Sequence, residues 1–80
     1  MITVHVKLFA TLRQRYPHLE IGEPMAVEMP DGATVSQLLA QLQIPDGQVK
    51  IVFVNHVIRD RGHQLVDGDV VGVFPPVGGG

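Results

Sequence analysis

One segment of the sequence has the pattern of an amphipathic helix, and it limits the folds open to the rest of the chain. Apolar residues recur at the spacing i, i+3, i+4 and i+7, namely at Val35, Leu38, Leu39 and Leu42. Thr34 is expected to cap this helix, because Gln37 follows it at the spacing of a capping box. The helix is predicted to end near Gln43, since Pro45 disfavours a helical conformation at Ile44. One face of the helix must therefore be buried against another element.

Strand patterns occur on both sides of this helix. The segments are residues 2–8, 25–29, 51–54 and 70–74. In the first two segments apolar residues alternate with other side chains, which predicts half-buried strands. The run Ile-Val-Phe-Val at residues 51–54 is typical of a strand that is covered on both faces. A tight turn at Asn55 and His56 is expected to lead to a further short strand at Val57 and Ile58.

The connections between these elements carry weaker signals. Residues 10–16 contain good helix formers and stop at Pro17, which predicts a short helix, and residues 18–24 are expected to form a loop. Leu65 and Val66 are interpreted as a small apolar anchor. The sequence Asp67-Gly68-Asp69 is typical of a turn in which the carboxylates accept hydrogen bonds from nearby backbone.

Together these elements predict an α+β fold of the β-grasp, or ubiquitin-like, class. In that arrangement one main helix covers a mixed sheet of four to five strands, which is an economical two-layer structure for 80 residues. The first and last strands are expected to be parallel neighbours at the centre of the sheet. We predict one β-grasp domain at residues 1–74 and an extended, flexible C-terminal tail at residues 75–80.

Composition argues against several classes of protein. An apolar fraction of 45% and a charged fraction of 18% are typical of a folded domain. The net charge of −2 argues against a strongly cationic nucleic-acid-binding protein. The sequence contains no cysteine, so disulfides, cysteine-ligated metals and cysteine nucleophiles are excluded. No long apolar segment or signal peptide is recognisable, so we expect no membrane partner and a cytoplasmic location.

No set of residues has the spacing of a catalytic or metal centre. The four histidines lack metal-ligand spacing, so no metal site is expected. Ser36 is the only serine and is predicted to lie in the first turn of the helix, without the flanking glycines of a nucleophile elbow. Asp67 and Asp69 resemble a carboxylate pair but are explained as turn residues.

The C-terminal tail is the segment that folding leaves unexplained. Pro75 and Pro76 fix an extended path and offer no ladder donors, so they are expected to carry the chain away from the sheet. Gly78, Gly79 and Gly80 have no side chains and could pass through a narrow channel, presenting a nearly bare carboxylate. The competing interpretation is a frayed terminus or an expression remnant.

A second unexplained feature is a group of apolar residues near the tail. Phe9 lies on the polar side of the first alternation, Ile58 follows a tight turn, and Phe74 precedes the tail. Exposed apolar clusters usually mark a partner surface. The alternative is that one or more of these side chains packs beneath a loop.

Several motifs occur together with this tail. They are a Val-Asn turn at residues 54–56, Leu-x-Asp-Gly-Asp at 65–69, and Phe-Pro-Pro-Val followed by terminal glycines at 74–80. With the N-terminal motif Val-Lys-Leu-Phe-Ala-Thr-Leu-Arg at residues 6–13, the sequence resembles the sulfur-carrier proteins of the MoaD/ThiS group, particularly the small subunit of molybdopterin synthase. The resemblance covers both ends of the chain, while the middle agrees in its pattern of residue types more than in residue identity.

The resemblance implies a function for the tail. An activating enzyme of the MoeB/ThiF type would adenylate the Gly80 carboxylate with ATP, and a sulfur donor protein would supply the sulfur for its conversion to a thiocarboxylate. The large synthase subunit, which resembles MoaE, would then receive the tail, with Gly79 giving access, and use the sulfur in molybdenum cofactor biosynthesis. The chain would bind no cofactor and would be a non-catalytic subunit, because the partner supplies the acid, base and oxyanion groups.

The resemblance also assigns partner-binding residues. They are Phe9, Arg13, Ile58, Phe74, Pro75, Pro76, Val77 and Gly78. Gly78 departs from the family pattern, in which threonine or serine is more frequent at this position, so the tail is expected to be more flexible. The alternatives are a carrier for thiazole, tungstopterin or another thiolated product, a ubiquitin-like protein modifier that forms isopeptide bonds from Gly80, and a β-grasp binding module with an inert tail.

Overall fold

The computed structural model describes residues 1–10, 12 and 23–76. The strands are β1 (Ile2–Leu8), β2 (Met25–Met29), β3 (Ile51–Val54), β4 (Val57–Arg59) and β5 (Val70–Phe74). The helix α1 spans Val35–Gln41, and a short 3₁₀ helix spans Asp46–Gln48. No helix in the described part of the chain is long and apolar enough to cross a membrane.

The strands form one mixed sheet in the order β2-β1-β5-β3-β4. β1 and β5 are parallel neighbours, with His5 opposite Val70 and Leu8 opposite Val73. The other adjacent strands pair in the antiparallel sense. The β-grasp fold is therefore confirmed, with the first and last strands side by side in the interior of the sheet, as the sequence predicted.

The core lies between α1 and one face of the sheet, which we call the inner face. Val35, Leu38 and Leu39 of α1 are buried. The sheet contributes buried alternate residues, namely Val4, Val6, Leu8, Val27, Met29, Val52, Val54, Val71 and Val73. The alternating patterns in the sequence thus identified the residues that α1 covers.

Both ends of α1 are fixed by local hydrogen bonds. The capping box is confirmed, because the Gln37 amide donates to Thr34 Oγ1 and the Thr34 amide donates to Gln37 Oε1. At the other end Gln43 has a φ of 60°. The amides of Gln43 and Ile44 donate to the carbonyls of Ala40 and Leu39, which is the Schellman pattern of a helix end. The helix ends at Gln41, close to the predicted position.

Two expectations about burial were wrong. Strand β3 is covered on one face only, because Val52 and Val54 are buried while Ile51 and Phe53 are half-buried. The continuous apolar run therefore does not mark a strand enclosed on both faces. Leu65 is buried as expected, but Val66 is 60% exposed and does not help to anchor its loop.

The predicted connections fall only partly within the described residues. Asn55 and His56 form the tight turn between β3 and β4, and both have positive φ, of 52° and 72°. This is the geometry of a primed hairpin turn, whose twist suits the adjoining strands. Of the predicted helix at residues 10–16, only Ala10 and Leu12 are described, both in a 3₁₀ turn. Most of the predicted loop at residues 18–24 lies outside the described residues.

Candidate docking face and the origin of the tail

The face of the sheet opposite α1, which we call the outer face, carries all three phenylalanines of the chain. Phe9 follows β1, Phe53 lies in β3 and Phe74 ends β5. The rings of Phe9 and Phe74 are stacked, with centroids 4.2 Å apart and planes 4° apart. Phe53 meets Phe74 edge-on at a centroid distance of 5.4 Å. The aromatic residues thus pack against one another while staying half-buried, outside the core beneath α1.

The sheet register explains why these side chains meet. Lys7 pairs with Gly72, Gly72 with Phe53, and Phe53 with Ile58, so these residues form one row across four strands. Ile58 is 61% exposed at the β4 end of this row. Phe74 lies in the next row towards the tail, opposite Ile51. An apolar surface therefore extends from the exposed edge strand to the point where the chain leaves the sheet.

The tail begins at this surface. The Lys50 amide donates to the Phe74 carbonyl at 2.8 Å, and the two residues that follow are prolines without amide donors. Pro75 is half-buried and Pro76 is exposed. The predicted reactive residues Gly79 and Gly80 lie outside the described residues, and so do Val77 and Gly78.

The structure brings together three of the predicted partner-binding residues. Phe9 and Phe74 are in contact through their rings, and Ile58 lies on the same face beyond Phe53. The alternative that these residues pack beneath a loop does not hold for Ile58, which is largely exposed. Arg13 lies outside the described residues, so its predicted place beside this surface stays a prediction.

Sequence reasoning missed five residues of this face that line one groove with the two stacked rings. They are Lys7, Phe53, His56, Val70 and Gly72. The sequence did contain a signal for Phe53. Side chains alternate along a strand, so Phe53 faces the opposite side of the sheet from Val52 and Val54. Reading residues 51–54 as a strand covered on both faces concealed that signal.

A network of hydrogen bonds connects the β3–β4 turn to the start of β5. Asn55 Nδ2 donates to Asp69 Oδ1 at 2.8 Å, and the Val70 amide donates to Asn55 Oδ1 at 3.0 Å. Asp69 Oδ2 accepts a hydrogen bond from the Val66 amide, and the whole residue is buried. These contacts hold the hairpin that carries Ile58 against the strand that leads to the tail.

The two carboxylates of the Asp67-Gly68-Asp69 turn have structural roles. Asp69 bonds to its own turn and to Asn55, in agreement with the turn interpretation. Asp67 differs in detail, because its Oδ1 accepts from the Thr3 amide at the start of β1 instead of from its own turn. The Gly68 amide also donates to the Thr3 carbonyl, and Gly68 has a φ of 87°, which favours glycine. Asp67 thus joins the turn before β5 to β1, and Asp69 joins the same turn to the β3–β4 turn.

Within residues 1–10, 12 and 23–76, no three histidine, aspartate or glutamate side chains are grouped as metal ligands. Ser36 is exposed in the first turn of α1, where the sequence placed it.

Comparison with known proteins places the chain in a family. The model of the ThiS family matches residues 6–80. A Pyrococcus furiosus protein described as molybdopterin converting factor subunit 1 is 32% identical, over 96% of this chain and 100% of that one, with a TM-score of 0.76. A search of curated proteins finds no match.

Two further solved structures have the same fold. In a Helicobacter pylori complex of subunits 1 and 2 of molybdopterin-converting factor, the matched chain is 27% identical, with a TM-score of 0.62 over 99% of this chain and 100% of that one. Small archaeal modifier protein 1 of H. volcanii is 22% identical and has a TM-score of 0.76, over 96% of this chain and 100% of that one, which shows the fold alone. Because the family match includes both the domain and the tail, the chain belongs to the ThiS family.

Proposed function

We propose that this protein is a sulfur carrier whose Gly80 carboxylate is adenylated and then converted to a thiocarboxylate. In the first step the carboxylate attacks the α-phosphorus of ATP, which forms an acyl adenylate and releases pyrophosphate. Hydrosulfide supplied by a sulfur donor protein then attacks the acyl carbon, AMP leaves and one proton is released, which gives the thiocarboxylate. A carboxylate is a poor electrophile, so adenylation provides the leaving group that the second step requires.

The observation that carries this proposal is the position of the aromatic cluster at the start of the tail. Phe9 and Phe74 stack at the end of β5, and Pro75 follows immediately. An enzyme that binds this apolar surface is thereby brought to the residues that lead to Gly80. The described residues contain no group of three or more histidine, aspartate or glutamate side chains that could hold a metal, and in the proposed function the partner supplies the acid, base and oxyanion groups.

We further propose that the sulfur is used in molybdopterin synthesis. One protein of similar sequence and fold is described as molybdopterin converting factor subunit 1, and another similar structure is a complex of subunits 1 and 2 of that factor. This likeness supports a large-subunit partner, and we propose that it binds the apolar outer face. The Phe-Pro-Pro-Val sequence at residues 74–77 favours the same branch over thiazole synthesis. An adenylating enzyme and a sulfur donor protein complete the set of partners.

The proposal is tested by intact mass spectrometry. The full chain is incubated with the adenylating enzyme of its own organism, ATP, Mg²⁺ and a sulfur donor. We expect a product in which one oxygen is replaced by sulfur, located by fragmentation at Gly80. The control is a chain that lacks Gly79 and Gly80, with circular dichroism used to verify that it is folded.

Three outcomes would contradict the proposal. Sulfur incorporation without ATP, or into the shortened chain, would place the chemistry elsewhere. Molybdopterin synthase activity that survives removal of the two glycines would indicate an inert tail. Adducts in which Gly80 is joined to a lysine of another protein, in place of a thiocarboxylate, would indicate a protein modifier.

A further inference from the structure

An apolar groove with a volume of about 270 Å³ opens on the outer face beside the stacked rings. It is lined by Lys7, Phe9, Phe53, His56, Val70, Gly72 and Phe74. Four of these residues are apolar and one is glycine, while the polar members are both basic. The groove adjoins the start of the tail, so a partner that receives the tail also covers the groove.

Gly72 is what opens the groove between its neighbours. It lies between Lys7 on β1 and Phe53 on β3, in the row that crosses the sheet. A Cβ atom at this position would lie 3.4 Å from the Phe9 ring and 3.6 Å from the Phe74 ring. Glycine inside a strand weakens the strand and often marks a place where another group approaches closely. Because residue 72 is glycine, the Phe9 and Phe74 rings can lie close to β5, and space remains above the row that runs from Lys7 to Ile58.

Among the described residues that line the groove, the two with ionisable side chains, Lys7 and His56, are both basic. Lys7 is half-buried, and its ammonium group forms no ion pair with the described residues. His56 is exposed at the other side of the groove, and the described residues that line the groove include no acidic one. A half-buried lysine that has no counter-ion among the described residues suits a partner that supplies a carboxylate.

We propose that this groove is a selectivity pocket, which takes one apolar side chain of the protein partner while Lys7 pairs with a carboxylate beside it. The inference rests on the proposed function, in which the outer face binds the large subunit. The apolar side chain would fill the space above Gly72 and contact the three rings. Residues that fill a pocket near the centre of an interface contribute most of its binding energy, and an adjacent charge pair adds selectivity.

A second copy of this chain is a less suitable occupant. Self-association through the outer face would bring a second Lys7 and a second His56 to the same region. The two Lys7 ammonium groups would then lie close together, and like charges at an interface are unfavourable. Charge complementarity therefore favours a different protein with an acidic residue near an exposed apolar one.

In the test, isothermal titration calorimetry compares the affinities of the wild-type protein and three variants for the large subunit. The variants are Lys7→Glu, Gly72→Val and Arg59→Glu. Arg59→Glu is the matched control, because it changes the net charge equally. Arg59 pairs with Val52, whose side chain faces the core, so it lies on the other side of the sheet. The unloaded full chain is used, so that the result does not depend on sulfur transfer.

Lys7→Glu is expected to weaken binding by about tenfold or more, and Arg59→Glu by less than about threefold. The affinity of the wild type should fall with added salt, and this dependence should be smaller for a fifth protein, Lys7→Gln, which lacks the charge. Gly72→Val should also weaken binding by about tenfold, because its methyl groups enter the groove. Urea unfolding of each chain separates these effects from loss of the fold.

The proposal is overturned if Lys7→Glu binds as tightly as Arg59→Glu, or if the wild type does not bind the large subunit. Self-association that Lys7→Glu strengthens would also overturn it, in favour of a second copy. The proposed function fails separately, when the wild type binds but Gly80 is never converted to the thiocarboxylate.

Discussion

Asn55 shows how one residue can meet a backbone requirement and a side-chain requirement at the same position. Its φ of 52° lies in the left-handed region, which asparagine tolerates better than most residues. The same side chain donates to buried Asp69 and accepts from the Val70 amide. The Asn55 amide also donates to the Val70 carbonyl. Asn55 is thus the residue through which the β3–β4 turn is joined to β5.

We predict that Asn55→Ala destabilises the domain by about 3 kcal/mol and Asn55→Gly by about 2 kcal/mol. Both changes remove two hydrogen bonds and leave Asp69 Oδ1 without its side-chain donor, at a cost of about 1 kcal/mol for each bond. Alanine adds about 1 kcal/mol because its Cβ atom disfavours the left-handed conformation. Urea unfolding measures both values.

Equal losses for the two variants would show that backbone conformation at Asn55 contributes little. A loss below about 0.5 kcal/mol for both would show that the bonds to Asp69 and Val70 do not stabilise the fold. His56→Gly is a useful companion, because His56 also has a positive φ, of 72°, but has an exposed side chain. That variant should be neutral or slightly stabilising.

At the scale of elements, α1 depends on its ends as much as on its buried face. It has only seven residues, and helices of this length are marginal unless local and tertiary contacts support them. The capping box supplies partners for two amides at its start. The Schellman pattern at Gln43 and Ile44 does the same for carbonyls at its end.

We predict that Thr34→Ala lowers the free energy of unfolding by about 1 kcal/mol, because the Gln37 amide loses its acceptor. Thr34→Ser retains a hydroxyl and should stay within about 0.5 kcal/mol of the wild type. Ser36→Ala, at an exposed position two residues later, is the control and should be neutral or mildly stabilising. Chemical denaturation followed by circular dichroism distinguishes the three. A Thr34→Ala chain as stable as Ser36→Ala would contradict the role of the cap.

The sequence predicted elements well where the determining contacts are local. Thr34 and Gln37 are three residues apart, and the alternation in β1 needs no knowledge of its neighbours. The burial of β3 was predicted less well, because residues 51–54 are apolar at every position. Which side of that strand is covered depends on where α1 packs. The exposure of Val66 likewise depends on the path of its loop, which no local sequence pattern determines.

At the scale of the whole molecule, the two faces of one sheet have different roles. The inner face packs against α1, and the outer face carries the aromatic rings and the groove. The groove combines residues of β1, β3 and β5 that are far apart in sequence, and the parallel β1–β5 pairing brings them together. Sequence alone therefore indicated Phe9 and Phe74 but gave no means of joining Lys7, Gly72 and Phe53 to them.

Two adjacent residues of β5 allow the roles of the two faces to be distinguished. Val73 is fully buried on the inner face, and Phe74 is half-buried on the outer face. Val73→Ala should cost about 2 kcal/mol or more of stability, since it leaves a cavity beneath α1. Its affinity for the large subunit should change less than about threefold while it remains folded.

Phe74→Ala should behave in the opposite way. The ring contacts of Phe74 with Phe9 and Phe53 lie on the surface, so their loss should cost about 1–2 kcal/mol and leave the domain folded. Affinity for the large subunit should fall by about tenfold or more, because an apolar anchor beside the tail is removed. Calorimetry and urea unfolding are performed on the same preparations. Unfolding of Phe74→Ala, or binding equal to that of Val73→Ala, would show that Phe74 serves the fold and not the partner.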